Sequence, residues 1–204
     1  MRVIKCRGFE QAYKKGVDYV LQNGIDVTVH GTVVRQADGV TLDIDIKDLG
    51  EPMYDIGPLG EKSNISYCEE FISPSNHHGF VYTYGERMGK CNQLDYVINL
   101  LKKDPHSRQA VISLWIPTLD QGQESPPCVN HIHVYKNTKG AFTIHVTMRS
   151  NDFYAALYSN FLGVYTLIKY IASEIGPITN YVHTANCPHI YAYYLEDAKK
   201  LLEQ

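Results

Sequence analysis

The chain has 204 residues, of which 44% are hydrophobic and 20% are charged, and its formal net charge is −3. This composition allows a substantial core and excludes a chain that is disordered as a whole. The weakly acidic balance argues against a nonspecific nucleic-acid-binding protein, which would carry a basic surface. No apolar run approaches the length of a membrane span, and the charged N-terminus does not resemble a signal peptide.

The cysteines point to a reducing compartment. There are five of them, scattered along the chain and never arranged as CxxC. An odd, scattered set is typical of intracellular proteins rather than of a disulfide framework. We therefore expect a cytoplasmic protein with neither a membrane nor a nucleic acid as its partner.

The pattern of apolar residues predicts a mixture of helices and strands. Helices are predicted over residues 9–21, 65–72, 92–103, 161–175 and 194–202. Strands are predicted over residues 27–34, 40–46, 109–115, 129–135, 142–148 and 180–184, with a turn at 37–39 and a loop at 75–79. The segment 161–175 is apolar on nearly every side, which predicts a buried central helix. Because no repeat or linker interrupts the chain, we predict one α+β domain over residues 1–204.

Two neighbouring strands carry residues suited to covalent chemistry. Cys128 follows two prolines, which hold the preceding backbone extended at the start of a strand. Arg149 and Ser150 end the next strand, and the alternation of side chains turns Arg149 away from the apolar face. A thiol beside a forked cation and a hydroxyl suits nucleophilic chemistry on a phosphorylated substrate. The alternative for Cys128 is a small buried hydrophobe.

Other polar residues have simpler alternatives. Arg108 begins a predicted strand, where it could add a second cation or form an ordinary surface ion pair. His131, His133 and His145 lie on adjacent strands, but no cysteine or carboxylate at ligand spacing accompanies them. We therefore predict no metal site.

The order of these residues resembles the thymidylate synthase and pyrimidine hydroxymethylase family. The matching stretches are Tyr84-Gly85, Ser107-Arg108, Pro127-Cys128, Arg149-Ser150-Asn151-Asp152, Asn160-Phe161 and His189-Ile190-Tyr191. The chain ends soon after its closing helix, which favours the short archaeal-type and phage members. The resemblance implies a thymidylate synthase-like mixed sheet with a buried central helix, and a homodimer formed through the sheet.

The resemblance also implies catalytic roles. Cys128 would add to carbon 6 of a pyrimidine nucleotide, and Tyr84 would assist proton removal from carbon 5. Asp152 would help to position the base and the folate. The region that holds the catalytic glutamate of the family is shortened here, and Glu69 or Glu70 is our candidate. The alternative for these two is an exposed pair on a helix face.

Further residues would bind the nucleotide. By the same resemblance Arg149 and Ser150 hold the 5′-phosphate, and Arg108 reaches it from the partner subunit. His189 and Tyr191 would bind the sugar hydroxyl. The family's phosphate-binding arginine pair appears here as Arg108 followed by glutamine, so one cation is missing.

Asn160 would bind the exocyclic edge of the pyrimidine. An amide donates and accepts, so it matches the O4 and N3–H of uracil, whereas cytosine-specific hydroxymethylases of the family carry an aspartate there. The resemblance thus implies a thymidylate synthase acting on dUMP, with 5,10-methylenetetrahydrofolate or a related pterin as cosubstrate and no metal. Two alternatives stay open: a pyrimidine nucleotide hydroxymethylase, in which water replaces hydride, and a non-catalytic nucleotide-binding relative.

Overall fold

A computed structural model describes residues 1–76 and 81–203, and eight strands in these ranges form one mixed sheet. The strands are β1 (Arg2–Arg7), β2 (Ile25–Val29), β3 (Thr32–Gln36), β4 (Val40–Asp45), β5 (Val111–Ser113), β6 (Val129–Lys136), β7 (Phe142–Asp152) and β8 (Ile178–Tyr191). The helices are α1 (Gly8–Asn23), α2 (Gly60–Ile72), α3 (Tyr84–Gly89), α4 (Gln93–Lys103), α5 (Pro117–Asp120), α6 (Leu157–Ile175) and α7 (Leu195–Glu203). The predicted α+β class is confirmed.

The sheet is built around its two longest strands. Its order is β1-β4-β8-β7-β6-β5, and the β2–β3 hairpin joins β8 through β3. β7 and β8 run parallel, as do β1 and β4, whereas the other pairs are antiparallel. The C-terminal ends of β7 and β8 therefore lie side by side at one edge.

The central helix α6 is buried on most of its surface, as its apolar sequence predicts. Phe161 is fully buried, stacks on Phe9 of α1 at 5.4 Å between ring centroids, and meets Tyr181 of β8 edge-on at 5.8 Å. On its other side α6 contacts α2 at Gly163, where an added Cβ would lie 2.5 Å from the Phe71 ring. Glycine thus lets the two helices approach closely.

Two predicted strands differ from the observed ones. The single strand over residues 27–34 is wrong, because the chain turns back at His30 and Gly31, which both have positive φ (49° and 80°). The strand predicted over 180–184 continues to Tyr191, past several polar residues and Pro188. Its length comes from pairing along both edges, which a local pattern does not reveal.

The remaining differences are three elements that the sequence pattern did not predict, namely β1, α3 and α5, and the ends of several others, such as β5, which is shorter than the strand predicted over 109–115. Helices α2 and α6 begin at Gly60 and Leu157, ahead of their predicted first residues. The loop predicted over 75–79 lies partly outside the described residues. Within residues 1–76 and 81–203, no helix combines the length and apolar character needed to cross a bilayer.

Candidate active site

A cavity of about 720 Å³ opens beside the adjacent ends of β7 and β8. It contains most of the residues that the sequence singles out: Tyr84, Cys128, Arg149, Ser150, Asp152, Asn160, His189 and Tyr191 all line it. The parallel register explains part of this convergence. Asp152 pairs with His189, and Ser150 pairs with Cys187 two residues earlier, so the polar ends of both strands arrive together.

Cys128 reaches the cavity from the start of β6, next to a β-bulge. Val129 pairs with Met148 but His131 pairs with Thr147, so Asn130 is an extra residue on β6. A bulge bends its strand and redirects neighbouring side chains. Across the ladder, the backbone N–H of Arg149 donates to the Cys128 carbonyl at 2.8 Å, which holds the two residues side by side.

The Arg149 guanidinium holds the loop in front of the thiol. Its Nε donates to the Pro127 carbonyl at 3.0 Å and its Nη2 to the Pro126 carbonyl at 2.7 Å. Nη2 also lies 3.7 Å from Cys128 Sγ. No described residue accepts a hydrogen bond from Nη1, so both N–H groups of that nitrogen are without a partner among the described residues.

Burial and charge act on the Cys128 thiol in opposite directions. Burial raises the pKa of this thiol, and the positive charge of Arg149 lowers it; burial has the larger effect. The thiol is therefore mostly protonated at neutral pH in the free protein. Nucleophilic chemistry requires that the proton leaves as the sulfur attacks.

Ser150, Asp152 and His189 form a polar cluster at the strand ends. His189 Nδ1 lies 3.1 Å from the Cys187 carbonyl and 3.4 Å from Ser150 Oγ. Asp152 Oδ1 accepts the backbone N–H groups of the two residues at 154 and 155, both at 3.0 Å. Burial raises the pKa of the Asp152 carboxyl, while these bonds and the nearby His189 oppose the rise. Asp152 thus holds the turn that leads into α6.

A buried histidine supports the cluster from below. His183 on β8 forms hydrogen bonds at both ring nitrogens: Nδ1 lies 2.7 Å from the Tyr181 hydroxyl, and Nε2 lies 2.9 Å from Asn151 Oδ1. Burial lowers the pKa of His183 to about 3, with a smaller contribution from His145. The ring is therefore neutral at physiological pH and joins β7 to β8 beneath the cavity.

Asn160 lies in the first turn of α6 and has a partner that the sequence did not suggest. Its Oδ1 accepts a hydrogen bond of 2.7 Å from the hydroxyl of Tyr67 on α2, and both residues line the cavity. Tyr67 falls inside a predicted helix, but its contact spans 93 residues of sequence. Only the packing of α2 on α6 brings the two together.

Three predicted residues lie outside this cavity. Glu69 is exposed on α2, and Glu70 lines a neighbouring cavity of about 370 Å³. Arg108 is exposed in a separate surface depression ahead of β5. Among the described histidines, cysteines and carboxylates, no group of three is placed to hold a metal ion.

The comparisons with known proteins agree with this geometry. The sequence model of the family described as "Thymidylate synthase" matches residues 52–204. The chain belongs to the thymidylate synthase family. This confirms the resemblance seen in the sequence motifs.

Relatives of similar length come from methanogenic archaea, and each carries the name "Putative thymidylate synthase". The protein of Methanosarcina barkeri is 30% identical over 200 residues, which cover 93% of this chain and 89% of the relative. That of Methanococcoides burtonii is 28% identical, with 99% and 95% covered. That of Methanopyrus kandleri is 28% identical, with 96% and 95% covered. The predicted likeness to short archaeal members is confirmed.

The opposing effects on Cys128 give a testable prediction. We expect the rate of its alkylation by iodoacetamide to rise with pH throughout the range from about pH 7 to about pH 9. The thiolate is the reacting form, and because the pKa of the thiol is raised, the thiolate fraction is still increasing over this range. Arg149→Gln removes the cation and should slow the reaction at each pH. Peptide mass spectrometry gives the rate at this cysteine. Arg2→Gln, a change at an exposed residue of β1, is the control, and a rate that levels off by about pH 8 contradicts the raised pKa.

Proposed function

We propose that this chain is a thymidylate synthase that forms dTMP from dUMP by transfer and reduction of a one-carbon unit. The observation that carries the proposal is the placement of Cys128 Sγ 3.7 Å from the Arg149 guanidinium, in a cavity that Asn160 and His189 also line. Each group would serve one part of a pyrimidine nucleotide. The thiol would attack the base, the guanidinium would bind the phosphate, the amide would bind the base, and the histidine would bind the sugar.

The 5′-phosphate would bind to Arg149 and Ser150. Arg149 Nη1 offers two donors, and the neighbouring hydroxyl of Ser150 adds a third. Arg149 is the only arginine or lysine among the described residues that line the cavity. One cation leaves a phosphate dianion partly uncompensated. We therefore propose that Arg108, which is exposed away from its own cavity, completes the site in the second subunit of a homodimer formed through the sheet.

The Cys128 sulfur would add to carbon 6 of the uracil as its proton passes to solvent water in the cavity. Electrons then move through carbon 5 towards O4, where the amide of Asn160 stabilises the developing charge by donating a hydrogen bond. His189 presents its second ring nitrogen to the sugar, because Nδ1 is already engaged with the Cys187 carbonyl. Tyr191 lines the same cavity, with its ring centroid 5.4 Å from that of His189, and would share this role.

Tyr84 would assist removal of the proton from carbon 5. Burial raises the pKa of its hydroxyl well above 10, with further contributions from Tyr67 and Tyr82. Tyr84 is therefore a neutral hydrogen-bonding group that can orient a water molecule, rather than a phenolate base. Asp152 would hold the base and the cosubstrate by its placement at the end of β7.

We propose that the pterin ring of the cosubstrate binds in the neighbouring cavity. It shares Tyr67, Tyr82 and Tyr84 with the nucleotide cavity, and Phe71 and Glu70 complete its aromatic and acidic lining. Aromatic walls suit the stacking of a planar heterocycle. When bound there, methylenetetrahydrofolate or a related pterin would supply the one-carbon unit and the hydride. We propose Glu70, rather than the exposed Glu69, as the carboxylate nearest to that ring.

The direct test is turnover of dUMP with methylenetetrahydrofolate, with mass analysis of the nucleotide. We expect dTMP as the product, and we expect Cys128→Ser to abolish tritium release from carbon 5, because carbon 5 becomes nucleophilic only after the sulfur adds. Hydroxymethyl-dUMP would indicate a hydroxymethylase. If dUMP binds but no tritium is released from carbon 5, with either methylenetetrahydrofolate or a related pterin, the protein is a non-catalytic relative.

The base preference should shift towards cytosine when Asn160 is replaced by aspartate. Asn160→Asp places a carboxylate, which accepts but does not donate, opposite the exocyclic edge of the base. We expect the ratio of dUMP to dCMP affinity, measured by calorimetry, to fall about tenfold or more. Asn23→Asp at the end of α1, away from the cavity, is the matched control. An unchanged ratio in the Asn160 variant refutes the proposed role of the amide.

Subunit complementation tests the role of Arg108. Arg108→Ala and Cys128→Ser should each be inactive as homodimers. In a mixed dimer, one site keeps Cys128 and receives an intact Arg108 from the other subunit. We expect mixing to restore about a quarter of the wild-type activity, since half the dimers are mixed and each has one intact site. No recovery after verified subunit exchange rules out a site shared between subunits.

A further inference from the structure

The hydrogen bond between Tyr67 and Asn160 lies in the wall of the nucleotide cavity. The Tyr67 hydroxyl is the donor and Asn160 Oδ1 the acceptor, at 2.7 Å. Burial raises the pKa of this phenol well above 10, with smaller contributions from Tyr82 and Cys128. The hydroxyl therefore keeps its hydrogen, and keeps donating, over the whole physiological pH range.

This bond determines which end of the amide is available to a ligand. With Oδ1 engaged by the phenol, the Nδ2 group carries the remaining donors. No described residue accepts from Nδ2, and Asn160 lines the cavity while it is only 5% exposed. The amide therefore presents an N–H donor to the cavity, which matches a carbonyl oxygen on the base.

The opposite orientation of the amide is disfavoured. A rotated Asn160 would point Nδ2 at the phenol and Oδ1 at the cavity. The phenol oxygen can accept from Nδ2, but its own hydrogen then loses its acceptor once a nucleotide has displaced water from the cavity. Leaving a buried donor without a partner carries the full penalty of its desolvation.

We propose that Tyr67 is a positioning residue that locks the Asn160 amide in its donating orientation and thereby selects uracil over cytosine. Uracil presents a carbonyl at carbon 4, which accepts from Nδ2, whereas cytosine presents an amine, which meets a second donor. This inference rests on the proposed function, since it assumes a pyrimidine nucleotide in the cavity. The proposal adds a residue of α2 to those that determine base specificity, and this residue lies outside the sequence motifs that identify the family.

The close contact of α2 with α6 keeps Tyr67 within hydrogen-bonding distance of Asn160. An added Cβ at Gly163 would lie 3.1 Å from the Tyr67 ring and 2.5 Å from the Phe71 ring. The Tyr67 ring also packs against Phe71 with centroids 5.9 Å apart. Tyr67→Phe retains this packing and removes only the hydroxyl, so the variant isolates the hydrogen bond.

Calorimetric titration of Tyr67→Phe with dUMP and with dCMP tests the proposal. We expect the preference for dUMP to fall about tenfold, mainly through tighter binding of dCMP, because the freed amide can rotate. Tyr165→Phe removes a hydroxyl from α6, where the ring packs against Phe9 and Lys169, and should leave the preference unchanged. An unchanged preference in Tyr67→Phe overturns the proposal.

A double-mutant cycle separates positioning from a direct effect. If Tyr67 acts through Asn160, then Tyr67→Phe should change neither affinity once Asn160→Ala is in place. Additive effects in that background would overturn the proposal and assign Tyr67 a contact of its own. Wild-type protein that binds neither nucleotide would overturn the proposed function along with it. Wild-type protein that prefers dUMP, with no change in Tyr67→Phe, overturns this inference alone.

Discussion

The parallel pairing of β7 with β8 is the constraint on which the candidate site depends. Its register places Ser150 and Asp152 of one strand beside the residues around His189 of the other. Parallel strands are held by slanted bonds and need a crossover, which α6 supplies here. Beneath the cavity, His183 bonds to Asn151 at 2.9 Å and stays neutral because it is buried. A protonated His183 would be a buried charge without a counter-charge, which is unfavourable. The pairing of β7 with β8 and the polar cluster above it therefore depend on this ring remaining buried and neutral.

The crossover helix brings in the second half of the site. Because α6 begins directly after the turn that Asp152 holds, Asn160 lies within reach of the strand ends. The contact of Gly163 with Phe71 then sets how close α2 lies, and with it the distance from Tyr67 to Asn160. The Asn160 amide is thus held from two directions: α6 positions it beside the ends of β7 and β8, and the Tyr67 hydroxyl of α2 donates a hydrogen bond to it.

Local patterns predicted the parts of the site that lie on regular strands. The alternation along β7 correctly turned Arg149 away from the apolar layer, and the prolines correctly marked the strand that Cys128 precedes. The partner of Asn160 could not be predicted in this way, because Tyr67 is one of sixteen tyrosines and its contact depends on helix packing. The hairpin at His30 was missed because its apolar flanks read as one continuous strand. Contacts between distant elements, rather than local propensity, decide these features.

The charges around the Cys128 thiol link its activation to the proposed pairing of two subunits. In the isolated chain, burial outweighs Arg149, so the pKa of Cys128 is raised. A phosphate dianion bound at Arg149 would offset the one cation that favours the thiolate, and would raise that pKa further. A second cation in the phosphate site removes this conflict, and Arg108 of the partner subunit is the proposed source. On this argument the proposed homodimer would do more than complete a binding site: it would restore the positive charge that favours the thiolate of Cys128 while a phosphorylated substrate is bound.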